Sequence, residues 1–222
     1  MSEPATSPPP PGRGRPPSTS RDHVGRTALA LFVARGFEET TLADIAHAVG
    51  IGRRTLFHYF ASKNDMVWGD FDGVLDRLRA SLADAAGGEP TMDTLGRAVV
   101  ASNRYEGAAL EDLRLRMTLI TTVPALQAHS MVRYDAWRRV VSEFVAQRRG
   151  EDPEGLMPLL VGHMALATSM AAFVRWVQHP DEDLQAHLRT GYRHLARAFE
   201  PAAIDERPPG RYRAAARSRG RP

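Results

Sequence analysis

The sequence predicts an all-α fold. Three observations point there. Apolar residues recur every three to four positions through most of the chain, no segment alternates apolar and polar residues or carries a hairpin turn, and capping residues fall between the apolar runs.

Taken in order, Ser20 opens a first helix that runs to Arg35. Its apolar face is Val24, Ala28, Leu29, Leu31, Phe32 and Val33, and Gly36 stops it. Thr41 caps a second helix, in which Leu42, Ile45, Ala46 and Val49 are apolar, and Gly50 ends it. Gly52 opens a third at once, covering Arg53 to Phe60. Ser62 caps a fourth, with Asp65 three residues on as in a capping box. Its helical period, through Met66, Val67, Phe71, Val74, Leu75, Leu78 and Leu82, holds until Gly87-Gly88. Thr91 caps a helix to Arg104, and another covers Ala109 to Thr121. Pro124 fits the first turn of one that ends at Arg149. Asp152-Pro153 reads as the cap and first residue of an apolar helix reaching His179, and Asp181 as the cap of a last one ending near Phe199. The expectation is nine helices in two domains, 20–65 and 66–200. A Pro-rich disordered arm precedes them at 1–19, and a disordered basic tail follows at 201–222.

Composition narrows the function. The 222 residues are 43% hydrophobic and 25% charged, ordinary for a globular protein, and the absence of cysteine removes disulfide and thiolate-metal chemistry. The N-terminus lacks the apolar core of a secretory signal, and no apolar run reads as long enough to span a bilayer, so the chain is expected in the cytoplasm with no membrane partner. There is no P-loop, nucleophile elbow or helical histidine pair. His163 reads as a hydrogen-bonded core residue, and His187 and His194 as solvated or interfacial. The expectation is a non-enzyme with no cofactor and no metal site. Charge is uneven: residues 207–222 hold six arginines and no acid, residues 1–22 sum to +1, and the whole chain is +3, which leaves −4 for residues 23–206. A basic tail of this kind suits a polyanion or a merely solvated terminus.

The stretch GIGRRTLFHYFASKND, from Gly50 to Asp65, is the chemical focus. Two short helices joined by a glycine turn form a helix-turn-helix, whose second helix fits a DNA major groove. Arg53 and Arg54 stand at its N-terminal end, where arginine pairs bidentately with guanine. Thr55 and Tyr59 can donate to phosphates, while Phe57 and Phe60 are expected to pack inward. Of 29 cationic residues only Lys63 is lysine. It stands in a first helical turn, where a cation opposes the helix dipole, and a phosphate partner would account for it.

The segment ALALFVARGFEETTLADIAHAVGIGRRTLFHYFASKNDM resembles the DNA-binding domain of the TetR family of bacterial repressors. The resemblance implies a homodimer, a three-helix reading head, a palindromic double-stranded DNA operator and a C-terminal helical domain for a ligand and for dimerisation. It also implies that Thr41, Thr55, Tyr59 and Lys63 hold phosphates. Many members have tyrosine in place of Phe57 and Ser or Thr in place of Gly52, so one hydroxyl contact and one side-chain cap are lost here. GIGRRTLFHYFASKNDMVWGDFD together with VPALQAHSMVRYDAWRRVVSEFVA is similar to a narrower actinobacterial subgroup, the mycofactocin-system regulators. That likeness implies control of mycofactocin biosynthesis genes and a small hydrophobic effector, with long-chain acyl-CoA the first candidate.

For the effector, the candidate wall is Leu113, Met117, Trp137, Phe144, Met164 and Phe173, with Arg114 or Arg116 for an acidic head group. For the dimer, the Pro153–His179 helix is apolar or small on every side, and Leu184, Leu188, Tyr192, Leu195 and Phe199 give the last helix a matching stripe, so the pair is expected to meet its copy across a two-fold axis. Arg13 and Arg15 belong to an Arg-Gly-Arg-Pro tetrapeptide repeated at Arg219–Pro222; it resembles the core of the AT-hook, and the first copy is placed to reach a minor groove. The competing readings are a repressor of an efflux or lipid-metabolism operon, a non-specific architectural DNA-binding protein and an acyl-thioester enzyme.

Overall fold

The computed structural model describes residues 19–84 and 88–199. Among them are ten α-helices and no strand: α1 (Arg21–Arg35), α2 (Leu42–Val49), α3 (Arg53–Tyr59), α4 (Lys63–Trp68), α5 (Phe71–Ala83), α6 (Thr91–Ser102), α7 (Ala108–Thr122), α8 (Pro124–Arg149), α9 (Leu156–Gln178) and α10 (Leu184–Ala198). The all-α expectation holds. The chain divides into two compact units between Met66 and Val67, inside α4. The arm at 1–18 and the tail from 200 onward, with Arg13, Arg15 and both Arg-Gly-Arg-Pro copies, lie outside the described residues.

The first unit packs α1, α2 and α3 around Val24, Leu29, Phe32, Phe37, Ile45, Leu56 and Phe60, each at most 4% exposed. Its boundaries follow from side-chain caps. Ser20 accepts from the His23 amide, and Thr41 and Asp44 form a reciprocal capping box. Gly50 takes the left-handed conformation (φ 76°) that closes α2 and turns the chain into α3.

The second unit differs from the sequence expectation at several joints. The predicted long fourth helix is two. Gly69 has φ 59°, and the Asp70 carboxylate accepts from the Gly73 amide to start α5. A β-carbon at Gly69 would lie 2.9 Å from the Arg116 guanidinium carbon, so a side chain there would push that arginine aside, and the positive φ would strain it in any case. Thr91 is buried as the first residue of α6 and Pro90 stands at the cap. Asp152 closes a turn, accepting the Gly155 amide at its carbonyl (2.8 Å), and α9 starts three residues later than Pro153. Asp183 replaces Asp181 as the cap of α10.

The core of this unit joins α5, α6, α8, α9 and α10. Leu184, Leu188, Tyr192 and Leu195 of α10 are all buried in it, so the stripe expected to meet a second copy is spent inside the protomer. The Tyr192 hydroxyl donates to Ala165 O (2.9 Å) within α9, and burial pushes its pKa well up. Gly162 lets α8 and α9 approach closely: a β-carbon there would meet the Ser142 hydroxyl at 2.7 Å. α9 is also the exception to the expectation that no apolar run could span a bilayer, since it is long and apolar enough to cross one. Its Val161, Ala165, Ala172 and Trp176 are buried in the protein core instead. Leu156, Leu160, His163, Ala167, Ala171 and Val174 form an outward stripe, so His163 is an exposed residue and not a core one.

Leu188→Ala should cost about 2–5 kcal/mol, the range for emptying a leucine site in a packed core. Val132→Ala, at a position 72% exposed, should stay within about 0.5 kcal/mol. Urea denaturation of the two variants checks the contrast.

Candidate nucleic-acid interface and an apolar cavity

In α3 only Leu56 is buried. Its side chain points into the first unit's core, so the helical period turns Arg53, Arg54, Thr55, Phe57 and His58 outward, and all five are exposed. Phe57, expected inside, is 48% exposed, whereas Phe60 is 3% exposed. The difference is one of phase: Phe60 lies four residues from Leu56 and shares its face, and Phe57 does not. Gly52 supplies no side-chain cap, so the first-turn amides of α3 have no side-chain acceptor at that cap. No acid occurs between Ile45 and Asn64. The nearest preceding acid, Asp44, is held by its Thr41 hydrogen bonds, which lower its pKa. The capping contribution of that carboxylate is therefore present above its usual range and fades as pH falls through its lowered value.

Lys63, Tyr59 and Arg21 tie α3 and α4 to the rest of the unit, and Thr40 braces the turn that Lys63 reaches. The Lys63 ammonium donates to Phe37 O (2.8 Å) and Thr40 O (3.2 Å) and lies 4.2 Å from the Phe37 ring centroid. Thr40, fully buried, donates to Gly36 O (2.8 Å). The Tyr59 hydroxyl donates to Thr19 O (2.6 Å), and the Arg21 guanidinium stacks on Phe60 at 4.9 Å. Thr41 is exposed, with its hydroxyl engaged in the capping box. Of the six expected DNA-facing residues in the described region, Arg53, Arg54 and Thr55 share one open surface. Tyr59 and Lys63 are half-buried and make internal hydrogen bonds.

Within the second unit, the end of α4, with α5, α7, α8, α9 and the 103–105 loop, encloses a cavity of about 240 Å³. Leu113, Arg116, Met117, Trp137 and Phe173 line it, five of the seven residues singled out in the sequence. Phe144 and Met164 do not. Phe144 is buried in the helical core with the Arg148 guanidinium 5.3 Å from its ring, and Met164 packs against the same core. Arg114 is turned away, donating to Trp176 O and Pro180 O around the end of α9, with its guanidinium 4.1 Å from the Trp176 ring. Arg116 donates to Val67 O (2.6 Å) at the end of α4. The sequence reading missed Trp68, Phe71, Tyr105 and Tyr134. Trp68 and Phe71 flank the unforeseen break, and Tyr105 lies in a connecting loop, so helical periodicity gave no sign of a shared wall.

Residues 26–67 match the model of bacterial regulatory proteins of the tetR family, and residues 89–200 match that of the MftR C-terminal domain. A protein of Mycobacterium tuberculosis (strain ATCC 25618 / H37Rv) that carries the name mycofactocin biosynthesis transcriptional regulator MftR is 37% identical over 179 residues, 81% of this chain and 90% of that one. Among solved structures, the fatty acid degradation regulator FadR of Bacillus halodurans superposes with a TM-score of 0.61 at 18% identity, covering 82% of this chain and all of that one. FadR of Thermus thermophilus in complex with lauroyl-CoA gives a TM-score of 0.51 at 23% identity, covering 79% of this chain and 93% of the other.

Lys63→Met keeps the aliphatic stem and removes the two ammonium hydrogen bonds. It should lower the unfolding free energy by about 1–2 kcal/mol, because the Phe37 and Thr40 carbonyls lose a charged donor. Chemical denaturation followed by circular dichroism measures this in the absence of DNA.

Proposed function

We propose that this chain, which belongs to the TetR family of bacterial transcriptional regulators, is a dimeric repressor that reads a palindromic operator through α3 and releases it on binding a hydrophobic effector. One observation carries the reading. A helix anchored by a single buried leucine presents two arginines, a threonine, a phenyl ring and an imidazole outward, with no acid among them. Such a helix has the width and charge to enter a major groove. Arg53 and Arg54 meet base edges there. Thr41, Thr55 and Lys63 hold phosphates, Lys63 through the one ammonium hydrogen its two internal bonds leave over. A phosphate contact from Tyr59 requires its hydroxyl to release Thr19 O.

Dimerisation falls to the outward face of α9 and the groove beside it. Thr168, Ala171, Thr190 and Gly191 are small there, so a second pair of helices can approach closely, and Leu156, Leu160 and Val174 would lose their exposure. The effector occupies the cavity walled by Leu113, Arg116, Met117, Trp137 and Phe173. A long-chain acyl-CoA is the first candidate, supported by the apolar lining and by the lauroyl-CoA bound to a protein of the same fold. It lowers DNA affinity only to the extent that it binds the DNA-incompetent state more tightly. The C-terminal domain match and the mycobacterial relative support mycofactocin biosynthesis genes as the target.

Arg53→Ala and Arg54→Ala should each cost about 1–3 kcal/mol on the cognate operator and little on random duplex at the same salt. Fluorescence anisotropy with both DNAs measures this. Equal losses on the two DNAs would instead favour architectural binding without sequence readout.

A further inference from the structure

A second concavity of the same unit is built from cations. Arg97 on α6, Arg104 just past its end, and Arg189 and Arg193 on α10 line one open groove, and all four are exposed. Asp93 is the one acid among the described lining residues. Four guanidiniums around one groove repel, yet the packing draws them together. A β-carbon at Gly96 would lie 3.0 Å from the Tyr192 β-carbon, so α6 sits close against α10 beneath the arginines. The Tyr192 hydroxyl is spent inside the core on Ala165 O, which leaves Met92, Val100 and the Tyr192 ring as an apolar floor.

Internal acids satisfy half of the rim. Arg97 is bonded to Glu89, and Arg189 to Asp183 (3.2 Å). The Arg104 and Arg193 guanidiniums have no hydrogen bond or ion pair among the described residues. They face each other from the two helices' sides of the groove. An anion held between them relieves the repulsion, and a guanidinium fork matches phosphate oxygens two at a time.

The groove adjoins the effector cavity along one loop. Asn103 and Tyr105 line the cavity, and Arg104, between them in the chain, lines the groove. This loop is fixed from both sides. The Asn103 side-chain amide donates to Val99 O of α6 (2.9 Å), and Gln185 of α10 donates to Asn103 O (2.6 Å). Arg77, exposed while it lines the cavity, donates to the Tyr105 hydroxyl (2.8 Å) and marks where the cavity meets solvent at this loop. A ligand leaving the cavity there passes from an apolar wall to a row of cations.

We propose that the α6–α10 groove binds the phosphates of a CoA thioester whose acyl chain occupies the cavity, a proposal that rests on the cavity being the effector site. The pantetheine arm crosses the 103–105 loop, and Arg104 and Arg193 take the phosphates. A free fatty acid has no group that extends over the loop, so the groove separates a CoA thioester from the acid it is made from.

Calorimetric titration of the full chain with decanoyl-CoA, S-decanoyl-pantetheine and CoA itself tests this. The pantetheine thioester keeps the chain and the carbonyl and lacks every phosphate. Arg104→Gln/Arg193→Gln should weaken decanoyl-CoA binding about three- to thirtyfold, the range for two exposed charge pairs, and leave S-decanoyl-pantetheine unchanged. Arg79→Gln/Arg139→Gln removes the same charge at two exposed positions that line neither concavity, and should alter neither affinity. Decanoyl-CoA binding that the groove variant leaves intact, or that the control variant weakens equally, would overturn the groove while leaving the effector cavity standing. Binding of CoA that the groove variant weakens, with none of S-decanoyl-pantetheine, would overturn the effector cavity and keep the groove as a phosphate site. Failure of all three to bind would overturn both.

Discussion

A helix of seven residues is not stable alone in water, because nucleation costs more than so few hydrogen bonds return. α3 therefore exists, and points where it does, only through what holds it. Leu56 anchors it from below, and Gly50 in a left-handed turn sets its angle to α2. Tyr59 and Lys63 tie its far end, and the helix that follows, to backbone carbonyls of the α1 entry and the α1–α2 turn. Because these four positions absorb the structural work, the remaining residues of α3 are free to face outward. A base-reading surface needs this rigidity: a bidentate arginine loses its discrimination when its backbone can drift.

This economy also explains the lone lysine. Arginine would bring a planar fork with fixed donor directions, whereas two carbonyls from one turn and the face of Phe37 converge on a point. A compact ammonium satisfies that geometry. The helix dipole argues against a cation in the first turn of α4, and the carbonyls supply the compensation.

In the second unit, apolar surface is divided among three duties. Part of α9 and the whole stripe of α10 build the core, the outer line of α9 stays exposed, and the ring of side chains near Gly69 bounds a cavity. The sequence made the helices legible, because caps such as Ser20, Thr41 and Pro124 act locally. It made α3 legible down to Arg53 and Arg54. The break at Gly69 was not, since Val67 and Phe71, four residues apart, keep the helical period across it. Nor could periodicity say whether the α10 stripe meets its own protomer or a copy, because burial looks the same in either case. Phe57 was misplaced by treating two phenyl rings as one face, although Leu56 fixes the phase. Trp68 and Tyr134 are 66 residues apart, and only the tertiary fold brings their rings together.

The central claim is that the outer face of α3, held by Leu56, Tyr59 and Lys63, is the surface that meets DNA. Hydrogen–deuterium exchange of the full chain, free and bound to an operator duplex, tests it directly. The account predicts that DNA slows exchange in peptides covering 41–63, most in the uncapped first turn of α3. A saturated complex in which those peptides exchange as in the free protein, with protection elsewhere, would contradict it.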